Sequence, residues 1–385
     1  MTIRLLVLSD MHVVGKEGGT ISRISIETPE MPPETNPVES IKVFLENYHN
    51  EIDYLINLGD VSDKSEKACW FYGIRLLREI QLSKGIRNLI HVVGNHDVIC
   101  KGDIPEGDNF FLPKHTKDYP VIDNQVRNEF WSKDYCIYAL DNLLLLIVNT
   151  EVHLKDETCL NNAPKISETK IREIEHDLQQ YKDYKGAKIA LMHHHIIMHS
   201  DKYGNYTSND VLEKGDTLLD VLDNNGFKMV IHGHKHLPRI MNYKDVVVFA
   251  SGSFSSLENL QMINADNLFH IIQLDIDDNT INGFIETYRY VHNQGWMAVS
   301  DPYALFIHHV GLGIQKDMKE LADEIIAKYK QRLDRGVQIH VDEYKNDFPG
   351  IQYLSKKQFD DLINHLKNSS YILIPDNGLL LKLIS

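Results

Sequence analysis

The stretch Val93-Gly94-Asn95-His96-Asp97 closes the apolar run Leu89-Ile90-His91-Val92-Val93, which has the pattern of a buried strand. A strand that ends in Gly-Asn-His-Asp places an amide, an imidazole and a carboxylate on one tight turn. An asparagine in a turn is usually only a turn former. Its side-chain oxygen is also a neutral hard ligand, so this stretch predicts a metal site if other strands of the chain end in the same way.

Four more apolar strands end in residues that bind metals. These residues are Asp10 and His12 after strand 3–8, Asp60 after strand 53–58, His193 after strand 187–192, and His234 and His236 after strand 227–231. The first half alternates strands with helices, which indicates an α/β fold, and ligands in such sheets gather outside the carboxyl ends of the strands. The second half is richer in strands. We therefore predict two sheets packed face to face, with helices outside.

Together with Asn95, these side chains make two carboxylates, one amide oxygen and four imidazoles, which is enough for two divalent ions. A nitrogen and oxygen set without thiolate suits Mn, Fe, Zn or Co, and it is too rich in nitrogen for calcium or magnesium. Two ions about 3.5–4 Å apart can hold the attacking and leaving oxygens of a phosphoryl displacement. The sequence therefore predicts a dinuclear centre, for which we favour manganese.

The same series resembles the calcineurin-like metallophosphoesterase superfamily. The motifs that carry the resemblance are Asp10-Met11-His12, Gly59 to Asp63, Gly94 to Asp97, His193, and Gly233 to His236. Each motif is weak alone, but all five fall at strand ends and in this order. The resemblance covers residues 1–288 and implies a four-layer αββα sandwich. Residues 289–385 lie outside it.

The resemblance also implies a role for each side chain. Asp10, His12 and His236 would hold the first metal, Asn95, His193 and His234 the second, and Asp60 would bridge them. A metal-bridging hydroxide would be the nucleophile, and His96 would protonate the leaving oxygen as a general acid. Either Asp97 or Asp63 would orient His96. His195 shares a side of its strand with His193, and we favour His193 as the ligand because it directly ends the strand.

The motifs differ from those of the superfamily's protein Ser/Thr phosphatases, which carry Gly-Asn-His-Glu where this chain has Asp97. We expect hydrolysis of a phosphate ester on a small substrate or nucleotide. Phosphodiester cleavage is favoured, monoester cleavage comes second and nuclease action third. A different alternative is a scaffold without catalysis. Lost ligands would mark such a scaffold, and none of the seven is lost.

The amino-acid composition limits the kinds of binding partner and the cellular setting that we expect. The net charge is −15, and residues 289–385 contribute none of it, because 12 Lys and Arg there balance 12 Asp and Glu. Such a surface does not favour nucleic acid. The four cysteines, Cys69, Cys100, Cys136 and Cys159, are far apart, which predicts reduced thiols in a cytoplasmic protein. No apolar run approaches the length of a membrane span.

The last hundred residues read as a separate module. Apolar periodicity predicts helices over 314–335 and 355–368, and a hairpin follows over 371–374 and 379–384 around Asp376-Asn377-Gly378. A helix followed by a hairpin resembles the end of a winged-helix module. A small α+β module for packing, or for an oligomer or protein partner, is the favoured alternative because the segment has no basic cluster.

Overall fold

A computed structural model shows how these segments are arranged. It describes residues 1–15, 21–27, 32, 35–99, 108–152, 164–199, 210–257, 266–277, 281–299, 308–374 and 379–382. The strands are β1 (Thr2–Leu8), β2 (Tyr54–Asn57), β3 (Asn88–His91), β4 (Tyr135–Ala139), β5 (Leu143–Val148), β6 (Ala187–Leu191), β7 (Met229–His232), β8 (Arg239–Tyr243), β9 (Val246–Ala250), β10 (Leu268–Ile276), β11 (Ile281–Val291), β12 (Gly295–Ala298), β13 (His309–Gly311), β14 (Tyr371–Ile374) and β15 (Leu379–Lys382). The helices are α1 (Pro37–Asn47), α2 (Lys67–Lys84), α3 (Phe111–His115), α4 (Asn124–Lys133), α5 (Glu168–Leu178), α6 (Gly215–Asn224), α7 (Met318–Leu333), α8 (Val341–Asp347) and α9 (Lys356–Asn368).

The first sheet has the order β12-β11-β10-β1-β2-β3, and β13 also pairs with β11. Strands β1, β2 and β3 are parallel, with Leu8 opposite Asn57 and Asn57 opposite His91. Their carboxyl ends therefore lie side by side. Strands β10, β11 and β12 extend the sheet in antiparallel fashion on the other side of β1.

The second sheet has the order β4-β5-β6-β7-β9-β8. Strands β5, β6, β7 and β9 are parallel, while β4 and β8 pair as antiparallel edges. Strand β8 was missed by the sequence analysis because its residues are only half-buried and show no apolar run.

Alternation along the central strands shows how the layers pack. On β5, the side chains of Leu143, Leu145 and Ile147 join one core with residues of the first sheet. The side chains between them, Leu144 and Leu146, join a second core with helices α5 and α6. Because successive side chains of a strand point to opposite faces, one face of the second sheet packs on the first sheet and the other on helices. The predicted face-to-face sandwich is confirmed.

The first sheet continues beyond residue 288, where the sequence analysis placed a domain boundary. Residue 288 lies inside β11, and β12 and β13 pair with the rest of that strand. The C-terminal residues have their own hydrophobic core, whose members begin at Met318. The break between the two cores therefore falls between Leu312, the last residue of the first core, and Met318.

The C-terminal module contains the predicted helices and hairpin. Helix α7 begins at Met318 instead of residue 314 because the Asp317 side chain accepts hydrogen bonds from the backbone of Lys319 and Glu320, at 3.0 and 2.9 Å. The turn at Asp376-Asn377-Gly378 lies outside the described residues. Tyr353 donates a 2.6 Å hydrogen bond to Asp275 and thereby links the module to β10.

Among the described residues, no helix combines the length and the apolar character needed to cross a membrane.

Candidate metal centre

The predicted ligands meet because the strand ends of both sheets share one edge. The backbone N–H of Asp10 donates to the Gly59 carbonyl at 3.1 Å, and that of His12 donates to the Asp60 carbonyl at 2.9 Å. From the second sheet, the His234 N–H donates to the Asp10 carboxylate at 3.2 Å. These bonds hold the ends of β1, β2 and β7 together before any metal is considered.

Five of the seven candidate ligands have a left-handed backbone. Their φ angles are 54° at Asp10, 46° at His12, 54° at Asp60, 79° at His234 and 57° at His236. Residues other than glycine adopt this region rarely, and such positions concentrate at functional sites because the surrounding fold must hold them there. All five residues belong to groups whose ligand atoms lie within 4.8 Å of one another.

The first group of candidate ligands comprises Asp10, His12 and His236, whose ligand atoms lie within 4.8 Å of one another. The Nε2 atoms of His12 and His236 are 3.0 Å apart, and His236 Nε2 is 3.3 Å from Asp10 Oδ1. All three side chains are buried. These three residues are the predicted first-metal set.

The second group is built around Asn95. Its Oδ1 lies 3.0 Å from His193 Nε2 and 3.0 Å from His234 Nδ1. The other nitrogen of each ring is held from behind: His193 Nδ1 donates to the Leu58 carbonyl at 2.7 Å, and His234 Nε2 lies 3.2 Å from Asp210 Oδ1. In neutral rings held this way, the nitrogens that face Asn95 carry lone pairs.

The lone pairs of these two nitrogens and of Asn95 Oδ1 point at one another, and this arrangement indicates a position for a cation. Two imidazole nitrogens and an amide oxygen facing one another repel unless a proton or a metal ion lies between them. The donors are nitrogen and oxygen without thiolate, a set that suits divalent manganese, iron, zinc or cobalt. His193 is thus the strand-end histidine that meets Asn95, whereas the His195 ring packs against His199 and His232.

Asp60 lies between the two groups. Its Oδ2 is 3.6 Å from His12 Nε2 of the first group and 3.2 Å from His193 Nε2 of the second. Its Oδ1 accepts the backbone N–H of His96 at 2.8 Å. One oxygen therefore reaches both groups while the other fixes the side chain, which is the geometry that a bridging carboxylate requires.

Two motif glycines allow the strand ends to approach this closely. A Cβ on Gly94 would collide with the Asp60 carboxylate, and a Cβ on Gly233 would come within 2.8 Å of Asp10 Oδ2. Both contacts are too short for a side chain at these positions. Gly94 and Gly233 are therefore required by the close approach of neighbouring turns, whereas Gly59 also has a positive φ of 101°.

The charges of the site are strongly coupled. Burial alone would raise the pKa of Asp60, but the charge of His193 and the neighbouring imidazoles lower it. Burial likewise opposes protonation of His12 and His193. Hydrogen bonds and charges of the adjacent carboxylates prevail and raise the pKa of each ring to about 10. The carboxylates of Asp10 and Asp60 thus remain anionic and attract cations, whether protons or metal ions.

His96 lies at the mouth of the site. Its side chain is 36% exposed, and its ring centroid is 4.7 Å from that of His12. Its Nδ1 hydrogen-bonds the Asp63 carbonyl and lies 3.8 Å from Asp63 Oδ1. The Asp63 carbonyl therefore accepts a hydrogen bond from Nδ1–H of His96.

Asp97 has a different position from the one that the orienting role implied. Its Oδ1 accepts the Val61 N–H at 2.7 Å, and its Oδ2 accepts those of Asp60 and Gly94 at 2.9 and 3.0 Å. The carboxylate is fully buried beneath the turn. Between the two carboxylates that the resemblance left open, Asp63 is the one beside the His96 ring, and Asp97 binds the backbone.

Sequence reasoning missed two acidic residues, one beside the candidate ligand His234 and one beside His194, which packs against it. Asp210 Oδ1 lies 3.2 Å from Nε2 of His234. The hydrogen bond to His234 and, with it, the one to Lys235 lower the pKa of Asp210, although burial alone would raise it. Glu151 Oε1 lies 2.8 Å from Nδ1 of His194, whose ring is packed at 4.3 Å against that of His234. Neither residue ends a predicted strand beside a motif, so no sequence signal marked them.

Comparison with known proteins gives a family match. The model of the calcineurin-like phosphoesterases matches residues 3–238, more than half of the chain. Among solved structures, a dimetal phosphatase from Danio rerio has a TM-score of 0.48 and 10% identity, covering 75% of this chain and 97% of that one. A purple acid phosphatase from yellow lupin seeds has a TM-score of 0.48 and 16% identity, covering 77% and 52%. The anchor protein GAP50 of the Plasmodium inner membrane complex has a TM-score of 0.44 and 12% identity, covering 76% and 86%. The curated proteins give no significant match.

Proposed function

The chain belongs to the calcineurin-like phosphoesterase family, and from this premise we propose that it hydrolyses a phosphodiester with two divalent metal ions and with His96 as general acid. Membership makes it a metal-dependent hydrolase of phosphate esters. The observation that carries the proposal is the position of Asp60, whose Oδ2 reaches His12 and His193 at 3.6 and 3.2 Å. Two groups of ligands that share one carboxylate are suited to a pair of ions.

We assign Asp10, His12 and His236 to one ion, Asn95, His193 and His234 to the other, and Asp60 to both. When bound, the ions supply an activated water and neutralise charge on the phosphoryl oxygens. The protein holds their ligands by hydrogen bonds from behind, as the Leu58 carbonyl does for His193. Manganese is the favoured metal because the first group and Asp60 offer carboxylate oxygens beside imidazoles.

His96 is the proposed catalytic acid. Asp63 holds Nδ1, so Nε2 would donate its proton to the departing oxygen, and the exposure of the ring gives a substrate access to it. A general acid contributes about 10²–10⁴-fold to rate. Its contribution is largest for a poor leaving group, such as the hydroxyl of an alcohol or a nucleoside, and smallest for nitrophenolate.

The preference for a diester rests on charge. A diester carries one negative charge and a monoester nearly two, while the chain carries a net charge of −15. A strongly acidic protein repels the second charge of a monoester and the many charges of long nucleic acid. We expect a small diester or nucleotide substrate.

The thiols of Cys69 and Cys136 are buried and form no disulfide bond, which supports a cytoplasmic setting. Cys100 and Cys159 lie outside the described residues.

The test uses metal-free protein reloaded with Mn²⁺. Hydrolysis of bis(p-nitrophenyl) phosphate should exceed that of p-nitrophenyl phosphate at equal concentration, and Asp60→Asn should abolish both. His96→Asn should lower the rate much more for a cyclic nucleotide than for the nitrophenyl diester, because only the first needs a proton on its leaving group. His49→Ala, at an exposed histidine after α1, is the matched control and should leave both rates unchanged.

Three outcomes would count against the proposal. A monoester rate above the diester rate would replace diester with monoester hydrolysis. Equal losses for both leaving groups in His96→Asn would remove the general-acid role. Two bound metals without hydrolysis of any ester would favour the scaffold alternative.

A further inference from the structure

Three histidines outside the seven candidate ligands form a separate cluster, comprising His195, His199 and His232. His195 and His199 lie on the segment that follows β6, and His232 is the last residue of β7. One nitrogen from each ring lies within 4.8 Å of the others. The His195 ring centroid is 4.6 Å from that of each partner. Chain segments that are far apart in sequence thus bring three imidazoles to one point.

Two rings of the cluster are buried and the third, that of His199, is half-buried, and the cluster is only partly paired. His232 is fully buried and His195 is 4% exposed. Neither ring nitrogen of His195, nor Nδ1 of His199, has a hydrogen-bond partner within the part of the chain that the structure describes. A buried polar atom without a partner costs about 1–3 kcal/mol. Such an arrangement favours a ligand that pairs these nitrogens.

A hydrogen bond between histidines does not supply it. His199 Nε2 and His232 Nε2 are 3.2 Å apart, so one ring can donate to the other. That bond uses one nitrogen of each ring and leaves both nitrogens of His195 unpaired. The distance of 3.2 Å between the two nitrogens is close to the distance between two nitrogen ligands of a tetrahedral zinc ion. That distance is about 3.3–3.4 Å for Zn–N bonds of about 2.0–2.1 Å.

We propose that His195, His199 and His232 bind a third metal ion of the zinc class, distinct from the dinuclear pair. A tetrahedral ion with three imidazole ligands keeps one position for water or another ligand. A set of imidazoles without carboxylate favours zinc, copper, nickel or cobalt over manganese. The chain would then carry two kinds of site with different metal preferences.

The position of the third ion suggests what it does. His195 is two residues after His193, and His232 is two residues before His234. The rings of His195 and His234 are 6.0 Å apart. An ion that joins the ends of β6 and β7 would therefore brace the two strands that deliver the second group of candidate ligands.

The test counts metals and does not depend on hydrolysis. The full chain is stripped with a chelator, reloaded with excess Zn²⁺, desalted and analysed by mass spectrometry of the metal. The wild-type protein should hold three ions per chain, and His199→Ala and His199→Gln should hold two. His49→Ala, which changes an exposed histidine, should hold three. Circular dichroism of both His199 variants checks that they are folded.

Cobalt gives an independent readout of the same site. Loading with Co²⁺ should produce the intense visible absorption of a tetrahedral ion, and His199→Ala should lose that band. In Asp60→Asn the band should persist, even though the dinuclear centre is damaged and esterase activity is lost. A wild-type protein that holds only two ions, or a third ion and a tetrahedral band that survive both His199 substitutions, would overturn the proposal.

Discussion

Asp97→Asn tests whether this carboxylate holds the backbone of the site. In the native chain Oδ1 accepts two N–H groups, from Val61 at 2.7 Å and Ser62 at 3.5 Å, and Oδ2 accepts two, from Asp60 and Gly94. An asparagine of the same shape keeps one acceptor oxygen and turns an NH₂ group towards the other donors. The better orientation retains the two bonds at Oδ2 and leaves the N–H groups of Val61 and Ser62 facing a donor.

The expected cost follows from this count. The buried Val61 N–H without a partner costs about 1–3 kcal/mol, and the longer bond from the Ser62 N–H is lost in addition. We therefore expect the local free energy of opening around Asp60 and Val61 to fall by about 2–3 kcal/mol. Since 1.4 kcal/mol is a factor of ten, amide exchange there should be about 30–150-fold faster. Asp97→Ala leaves all four donors unpaired and should be more damaging.

The assay is hydrogen exchange of metal-free protein, followed by mass spectrometry of peptides that contain Asp60 and Val61. A chelator is present throughout because bound metal would stabilise the native state and mask the loss. Asp63→Asn is the comparison: it changes a carboxylate beside the His96 ring, and it should lower the rate for poor leaving groups while leaving exchange near the wild-type value. Unchanged exchange in Asp97→Asn would refute the argument that this carboxylate organises the turn.

Three further predictions concern the metals and the C-terminal module. Asp210→Asn should weaken binding of one metal about 10–100-fold, since the imidazole that Asp210 holds loses its anionic partner; chelator competition measures this, and unchanged affinity would contradict it. Burial opposes protonation of His12 and His193, yet nearby carboxylates raise their pKa values to about 10, so both are protonated in metal-free protein at neutral pH. Metal loading should then release about two protons per chain, which calorimetry in buffers of different ionisation enthalpy detects; release near zero would contradict it. Ser355→Ala removes the capping box of α9 and should lower the stability of the module by about 1 kcal/mol in urea unfolding, whereas Ser369→Ala, at the far end of that helix, should not.

The strand-end pattern accounts for most of what could be predicted. Short apolar runs bounded by polar turns predict buried strands, because apolar side chains leave water when the chain folds and the runs can be seen in the sequence. Residues such as Asp10, Asp60 and Asn95 directly follow those runs. Parallel strands bring their carboxyl ends to one edge, so the meeting of these three residues followed from the pattern alone. The pattern did not predict β8, because that strand has no apolar run. It also did not show that β11 continues past residue 288.

What the sequence by itself determined is the inventory of the site: the seven candidate ligands, their places at strand ends, the α/β sandwich that gathers them and the net charge of −15. Where two side chains of the same type lie close together in the sequence, only the tertiary structure decided which contacts each of them makes. It placed His193 against Asn95 and His195 in another cluster, and it set Asp63 beside His96 while Asp97 went to the backbone. The physical reason is that side-chain direction at a strand end depends on the local φ and ψ angles. Contacts with distant turns set those angles, and no local composition encodes them. The same reason applies to the five candidate ligands in the left-handed region, Asp10, His12, Asp60, His234 and His236.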